Sequence, residues 1–422
     1  MIKILNCLNK KQQRNIELII NKRRNGNNIN TSIVLKILKD IRRNKKKALL
    51  KYEKKFSYNT KLNPTKKEIK KSINSLDPKV KKAIDNAYNR IMKFHKLQKI
   101  KNIRLVDKYR NVIEYKNIPL KSVGIYVPAN LPSTLLMNAI PAKIAGIKKI
   151  VLANPRLNKK LNPAVMYAAK KCGIDSIINV GGAQAIGSLA YIQKVDKIIG
   201  PGNDYVARAK KEVFGDVGIE GMIAGPSEVT LIADKKTDIN QIATSLVAQS
   251  EHGENSQSIL LINQKGLAKQ VVNKIKRVIE NLPRKKIIEK SLDKNGMIII
   301  SKSQKQIIEL VNFISPEHLE VLTVNYKKLI KNIYNAGSIG LGKYSPVAAS
   351  DYNVGTNHTL GTLGSAKFAS GLNLNDFFKK ISLFSLTKKG IEVIGKEAIT
   401  LAKYENLHAH ALSINSRIKG DN

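Results

Sequence analysis

From about residue 120 onward the chain keeps one rhythm, and that rhythm is its strongest constraint. Short apolar runs of strand length, "SVGIYV", "KKIVLA", "DSIINV" and "VDKIIG", alternate with the helix-like segments "STLLMNAIPAKIAG", "NPAVMYAAKKCG" and "AQAIGSLAYIQ". Strands and helices alternating at this spacing predict βαβ units, and therefore a parallel sheet, because parallel neighbours need a long crossover. Pro163 near one helix start and Gly173 just past its end fit the usual asymmetry of helix termini. A second block repeats the pattern. "EVTLIAD", "SQSILLIN", "GMIIIS" and "EVLTVN" read as strands, and Asp238 is placed to cap a helix over "INQIATSLVAQSEH". The expected class is α/β, with two Rossmann-like, incomplete parallel-sheet domains flanked by helical N- and C-terminal tail segments.

The flanks read differently. Residues 1 to about 117 are basic and mostly helical in pattern, as in "TSIVLKILKDIRRNKKKALLKYEKKF". Asn63-Pro64-Thr65 and Asp77-Pro78 look like helix starts. From about 374 the chain reads as helical again. His95, in "NRIMKFHKLQKI", reads as a surface or packing histidine.

The formal net charge of +44 raises nucleic acid as a partner. The excess is spread along the whole chain, however, and Lys, Asn and Ile are all over-used. A nucleic-acid site should concentrate its charge, so compositional drift is the preferred reading and no specific nucleic-acid site is expected. No apolar run is long enough to span a membrane, and the N-terminal apolar stretch is too short for a signal peptide. Cys7 and Cys172 form no CxxC pair, which suits a reducing compartment and excludes a thiolate zinc cluster. A cytoplasmic protein is expected.

The other five histidines fall in polar or carboxylate-flanked settings: "QSEHG" (His252), "SPEHLE" (His318), "SDYNVGTNHTLG" (His358) and "YENLHAH" (His408 and His410). Imidazole with carboxylate is the usual zinc donor set where cysteine is absent, yet no spacing here is a standard zinc signature. Pattern alone leaves a metal site and a set of structural histidines both open. Gln249 and His252, three apart at a helix end, share a face. Glu317 and His318 are adjacent, so they point differently from the backbone and suit two separate proton transfers.

Taken in order, "GIYVP", "LMNAIPAKIAG", "VGGAQAIGSLA", "VDKIIGPGNDYV", "FGDVGIEGMIAGPSEV", "QSEHG", "SPEHLE", "DYNVGTNH" and "LAKYENLHAH" resemble the histidinol dehydrogenase family over nearly the whole chain. The resemblance implies oxidation of L-histidinol to L-histidine through the aldehyde, with two NAD and one zinc per subunit. By motif position, Gln249, His252, Asp351 and His410 match the zinc ligands, which also hold the substrate. Glu317 and His318 match the acid–base pair. Ser227, His358 and Glu405 match the substrate pocket, and Tyr126, Gln184 and Asn203 match the NAD contacts. The resemblance also implies a homodimer whose C-terminal segment completes the partner's site. The domains expected on this basis are a helical tail at 1–22 and a first α/β domain at 23–122 plus 233–373, carrying zinc and the acid–base pair. A second α/β domain at 123–232 would take NAD, and a helical tail at 374–422 would reach the partner subunit. The chain departs from the family pattern in a shorter loop after Pro128 and in one extra residue, Gly221. The same residues would also suit a zinc-dependent hydrolase with Glu317 as base, and the charge would suit a basic nucleic-acid-binding protein. Neither gives the NAD-contact positions a purpose.

Overall fold

The structure, a computed structural model, describes residues 2–25, 31–174, 176–220 and 225–419. The segment 221–224, with the extra Gly221 and part of the "GMIAG" motif, lies outside the described residues. The chain starts with β1 (Lys3–Cys7) and α1 (Lys10–Asn25). It continues through α2 (Thr31–Ser57), α3 (Lys66–Asn74), α4 (Pro78–His95), β2 (Ile103–Val106) and β3 (Val112–Pro119). The first alternating block is β4 (Ser122–Tyr126), α5 (Pro132–Ile144), β5 (Lys149–Ala153), α6 (Pro163–Cys172), β6 (Ser176–Ile178), α7 (Gly182–Tyr191), β7 (Lys197–Ile199), α8 (Asp204–Val213) and β8 (Gly218–Ile219). The second is β9 (Glu228–Ile232), α9 (Ile239–Ser250), β10 (Gln257–Ile262), α10 (Lys265–Ile279), α11 (Lys285–Asn295), β11 (Met297–Ser301), α12 (Gln304–Ile314), β12 (His318–Val321), α13 (Tyr326–Leu329), β13 (Ser338–Leu341) and α14 (Val347–Ser350). β14 (Phe378–Ser385), α15 (Lys388–Tyr404) and α16 (His408–Lys419) close the chain.

Each block makes a parallel sheet, ordered β6-β5-β4-β7-β8 in the first and β1-β11-β10-β9-β12-β13 in the second. β4, β9, β10 and β11 are buried along their whole length, as strands covered by helices on both faces must be. Local chemistry sets the helix ends. Thr65 and Glu68 form a capping box on α3, Asp77 caps α4 ahead of Pro78, and Gly173 ends α6 at φ +70°. These two sheets with their helices, residues 1–98 and 121–376, form one compact unit. Residues 99–120 and 377–422 form a second, in which β14 and β2 flank β3 in an antiparallel sheet and α15 packs on α16.

The structure corrects three expected boundaries. The 1–22 segment is not only helical, because Lys3–Cys7 adds a parallel edge strand to β11 and buries Ile2 and Cys7. The helices placed with the zinc-bearing sheet pack elsewhere. α2 lies on α7, α3 on α6 and α4 on α5, so Val34, Ile37, Leu38 and Ile41 share a core with Val151 of the five-stranded sheet and with Ile186 and Leu189 of α7. The 374–422 segment contains β14, whose backbone pairs residue by residue with β3 from Phe378–Pro119 to Ser385–Val112. His95, read as a surface or packing side chain, is fully buried.

Candidate active site

A cavity of about 430 Å³ within the larger unit is lined by Asn203, Ser227, Gln249, His252, Glu317, His318, Asp351 and His358. Topology explains why residues so far apart in sequence meet. Ser227 immediately precedes β9 and Glu317 immediately precedes β12, and these strands are parallel neighbours with His318 opposite Val229. The crossover helix α9 runs back against the strands, so Gln249 in its last turn and His252 just beyond return to the same amino edge. Asp351 caps the C-terminus of α14. The opposite wall comes from the five-stranded sheet, whose carboxyl edge supplies Pro128, Leu131 and Ser133 after β4 and Pro201, Gly202 and Asn203 after β7.

Glu317 and His318, read as pointing differently from the backbone while able to serve one site, both line the cavity. The chain enters β12 through Ser315, held at φ +48°, and Pro316, so Glu317 lies ahead of the regular strand. His318 Nε2 is 4.0 Å from Glu317 Oε1 and 3.9 Å from Asp351 Oδ1. Its Nδ1 is buried without a partner. Burial is the main cause that pushes the His318 imidazole down to about 3, with His358 and His252 adding to it. Burial also raises the Glu317 carboxyl well above its ordinary value, with help from the charges of Glu228 and Asp351. A backbone N–H of Glu228 donated to Glu317 Oε2 at 2.7 Å opposes that rise. Asp351 is raised to about 7 by burial alone.

His358 is pushed down to about 4, first by burial, and is neutral at physiological pH. Its Nδ1 lies 2.8 Å from the Asp351 carbonyl, which can only accept, so Nδ1 carries the proton. Nε2 then holds the lone pair, 3.5 Å from Thr134 Oγ1. His252 is depressed first by burial in the cavity wall and also by Arg284, against Glu251. Its surface stays open to solvent, so water screens it more than it does His318. Gln249 is buried and its Nε2 has no partner.

These donors fit a zinc ion: a neutral imidazole, a carboxylate and an amide with unmet hydrogen-bonding capacity on one wall. Among the described residues no group of three or more His, Cys, Asp or Glu stands at metal-holding distance. The expected set has only His252 and Asp351 of those types in this unit, with Gln249 beside them. His410 belongs to the second unit, in α16, and Glu405 ends α15 there as its cap; both are exposed. Tyr126 and Gln184 are not on the cavity wall. They are 6% and 4% exposed, at the end of β4 and in α7.

Several residues around the site were not singled out in the sequence. Arg23, from α1, pairs with Glu228, whose Oε1 also accepts the Leu363 N–H at 3.2 Å. Arg23 thereby braces the peptide that holds Glu317. Glu320, buried on β12, accepts the Val347 N–H at 2.7 Å and so anchors the head of α14, the helix ending at Asp351. Glu228 and Glu320 lie inside quoted motifs, but their roles are not legible there, because each acts across a long separation.

Fold and cavity together define an α/β protein that gathers buried titratable side chains between the edges of two parallel sheets. The family model for histidinol dehydrogenase matches residues 21–418. A histidinol dehydrogenase of Pelagibacter ubique is 53% identical over 99% of this chain and 100% of its own, and one of Aquifex aeolicus is 41% identical over 91% of each. The crystal structure of histidinol dehydrogenase from Elizabethkingia anophelis superposes with a TM-score of 0.90 at 35% identity, covering 99% of this chain and 98% of that one. The chain belongs to the histidinol dehydrogenase family, oxidoreductases that convert histidinol to histidine in histidine biosynthesis.

Proposed function

We propose that the chain oxidises L-histidinol to L-histidine through histidinaldehyde, in two successive steps that each pass a hydride to NAD. The observation that carries this reading is the single cavity shared by Glu317, His318, Gln249, His252, Asp351, His358, Ser227 and Asn203. When bound, zinc supplies a positive centre that holds the imidazole and amine of histidinol, and NAD supplies the hydride acceptor. Gln249, His252 and Asp351 would hold the metal, with His410 as the fourth ligand. Fixing the substrate there orients its reacting carbon. In the first step His318, neutral because it is buried, takes the alcohol proton as hydride leaves carbon. Its depressed pKa means it passes that proton on readily and is ready again for the second step. Glu317 is a stronger base than an ordinary carboxylate because it is buried. It takes the proton of the water that adds to the aldehyde, and the hydrated aldehyde then gives up the second hydride. Ser227, His358 and Glu405 are assigned to the substrate.

On the five-stranded side, the segment 123–232 is read as the NAD side, with Asn203 on the cavity wall and Tyr126 and Gln184 at the carboxyl edge of the same sheet, at the end of β4 and in the first turn of α7. The Asn203 Oδ1 caps α8 by accepting the Val206 N–H at 3.1 Å, which leaves its amide nitrogen for a ligand. α5 starts at Leu131 with no side-chain cap, so its first N–H groups, which border the cavity, suit an anionic group. No helix among the described residues is long and apolar enough to cross a membrane. A cytoplasmic location, usual for a biosynthetic enzyme, is part of the proposal. The test is direct: purified protein with histidinol and NAD should release two NADH per histidinol consumed. Absence of NADH from zinc-loaded protein would overturn the reading.

The homodimer is part of the same proposal. The second unit leaves Ile103, Leu105, Val106, Ile113, Tyr115, Leu383, Phe384, Leu401 and Tyr404 exposed, more apolar surface than such a small unit would keep open to water. In a two-fold dimer with shared sites, His318→Asn and His410→Asn chains should each be inactive. Mixed and allowed to exchange, they should recover about a quarter of wild-type activity by counting intact sites. No recovery after verified exchange would mean that each site is built from one chain.

A further inference from the structure

α7 begins at the carboxyl edge of the five-stranded sheet, where parallel α/β proteins commonly take up a dinucleotide. The first N–H groups of such a helix are ordinarily free to meet phosphate. Here two of them, those of Gly181 and Gly182, already have partners. Glu53, on α2 and fully buried, uses one oxygen, Oε1, to accept both the Gly181 N–H at 3.1 Å and Gln184 Nε2 at 2.8 Å. The Gly182 N–H is directed at Tyr126 Oη, 3.4 Å away. Glu53 Oε1 is the acceptor of both bonds, so it is the amide nitrogen of Gln184 that faces Glu53. The carbonyl Oε1 of Gln184 is then the free end of that amide. It lies on the Gly182 side, 3.0 Å from where a side chain at Gly182 would begin. Burial raises the Glu53 carboxyl, and the bonds from Gln184 and Gly181 offset only part of that rise.

The end of α2 is tied to this edge a second time. Asn59 Nδ2 donates to the Asn179 carbonyl at 2.8 Å, Asn179 Nδ2 to the Asn154 carbonyl at 3.1 Å, and Asn154 Nδ2 to the carbonyls of Val127 at 3.0 Å and Pro128 at 3.1 Å. The three asparagines step across the ends of β6, β5 and β4 to the Pro128 wall of the cavity. Glu53 is therefore part of a hydrogen-bonded frame along the ligand-facing edge.

We propose that Glu53 is a positioning residue for the dinucleotide: by holding the amide nitrogen of Gln184, it presents Gln184 Oε1 as a fixed acceptor for an N–H or O–H donor of the cofactor. The proposal rests on the reading of Gln184 as a cofactor contact. Gln184 is only 4% exposed, so one directed bond is what it has to offer, and that bond depends on which end of the amide faces out.

The test is steady-state kinetics on zinc-loaded enzyme, with melting curves to check folding. Glu53→Met keeps the side-chain length and removes the acceptor. It should raise the KM for NAD about tenfold, the weight of one hydrogen bond, while kcat and the KM for histidinol stay within about twofold. Glu53→Gln keeps an acceptor oxygen and should recover to within about threefold of wild type. In a Gln184→Ala background, where Glu53 has no amide to hold, Glu53→Met should change the KM for NAD no further. Glu53→Ser is held to the same criteria should the methionine variant not fold. A folded Glu53→Met chain with an unchanged KM for NAD would overturn the proposal, and so would an effect that persists in full without Gln184. The control separates the two readings. Unchanged NAD affinity in Gln184→Ala sinks the cofactor reading and this proposal with it. Weaker NAD binding in Gln184→Ala but not in Glu53→Met sinks the proposal alone.

Discussion

The two parallel sheets meet the same cavity with opposite ends. The five-stranded sheet presents its carboxyl edge and the six-stranded sheet its amino edge. The difference sorts the chemistry. At a carboxyl edge the crossover helices begin, so α5, α7 and α8 bring N-termini and partial positive charge. That edge is made of loops with proline, glycine and asparagine, and its buried carboxylates are held by donors: Glu53 Oε1 accepts from the Gly181 N–H and Gln184, and Glu220 pairs with Lys210. At an amino edge the crossover helices end, so α9 brings its C-terminus and partial negative charge, which favours a cation. Gln249 and His252 stand at that end, and Glu317, His318 and Asp351 stand beside it. One edge is built to bind and the other to ionise, and the cavity lets a ligand of each kind touch.

The comparison breaks most visibly at His318. If the amino edge carries the proton transfers, His318→Asn should lower turnover on both histidinol and histidinaldehyde by about a thousandfold, the scale of losing a general base. Glu317→Gln should cost more on the aldehyde, where a water must be activated, than on the alcohol. Assays begun from each substrate separate the two, and equal losses for Glu317→Gln would remove the division of labour. The metal comes next. His252→Ala takes one of the donors from the end of α9, and zinc measured after dialysis should fall well below one per subunit. A variant that keeps its full zinc would move the cation off this edge. Beside these, substitutions behind the carboxyl edge, such as Glu53→Met, should change only NAD affinity.

Much of this plan was readable along the chain, and the failures share a cause. The βα rhythm predicted both sheets because period and turn chemistry are local. β1 and β14 were hidden because strand identity there comes from a partner far off in sequence, Met297–Ser301 for one and Val112–Pro119 for the other. "FKKISLFS" has too little regular alternation to declare itself before β3 is beside it. The family motifs named most of the cavity residues, yet not what holds them. Arg23 sits in a basic run and Glu53 in "KYEKKF", where each reads as a solvated charge. Only the fold brings Arg23 to Glu228 and Glu53 to Gln184.

His95 is the smallest test and isolates burial from function. Like His318 it is buried, and burial likewise lowers its pKa, yet the only other group that shifts it is Gln98, with no charged side chain among the described residues acting on it. It sits on α4, which packs on α5 and α6; its Nδ1 donates to Gln98 Oε1 at 3.2 Å and its Nε2 has no partner. The unfolded chain takes up a proton here as pH falls through 6.5, while the folded chain resists. Stability is therefore fully present above 6.5 and is lost below it, by up to about 1.4 kcal/mol for each pH unit until the folded imidazole also titrates. His318 and His358 act in the same direction. Asp351 acts in the opposite one, since its raised carboxyl gains stability as pH falls from about 7. The whole-protein curve mixes these contributions, so the informative quantity is a difference. His95→Leu should lose a little stability at pH 7.5 with the Gln98 bond, and close that gap on the wild type as pH drops from 6.5 toward 5. Denaturant melts of both proteins across that range measure it. Curves that stay parallel would mean that burial at this position does not hold an imidazole neutral, and would weaken the same argument for His318.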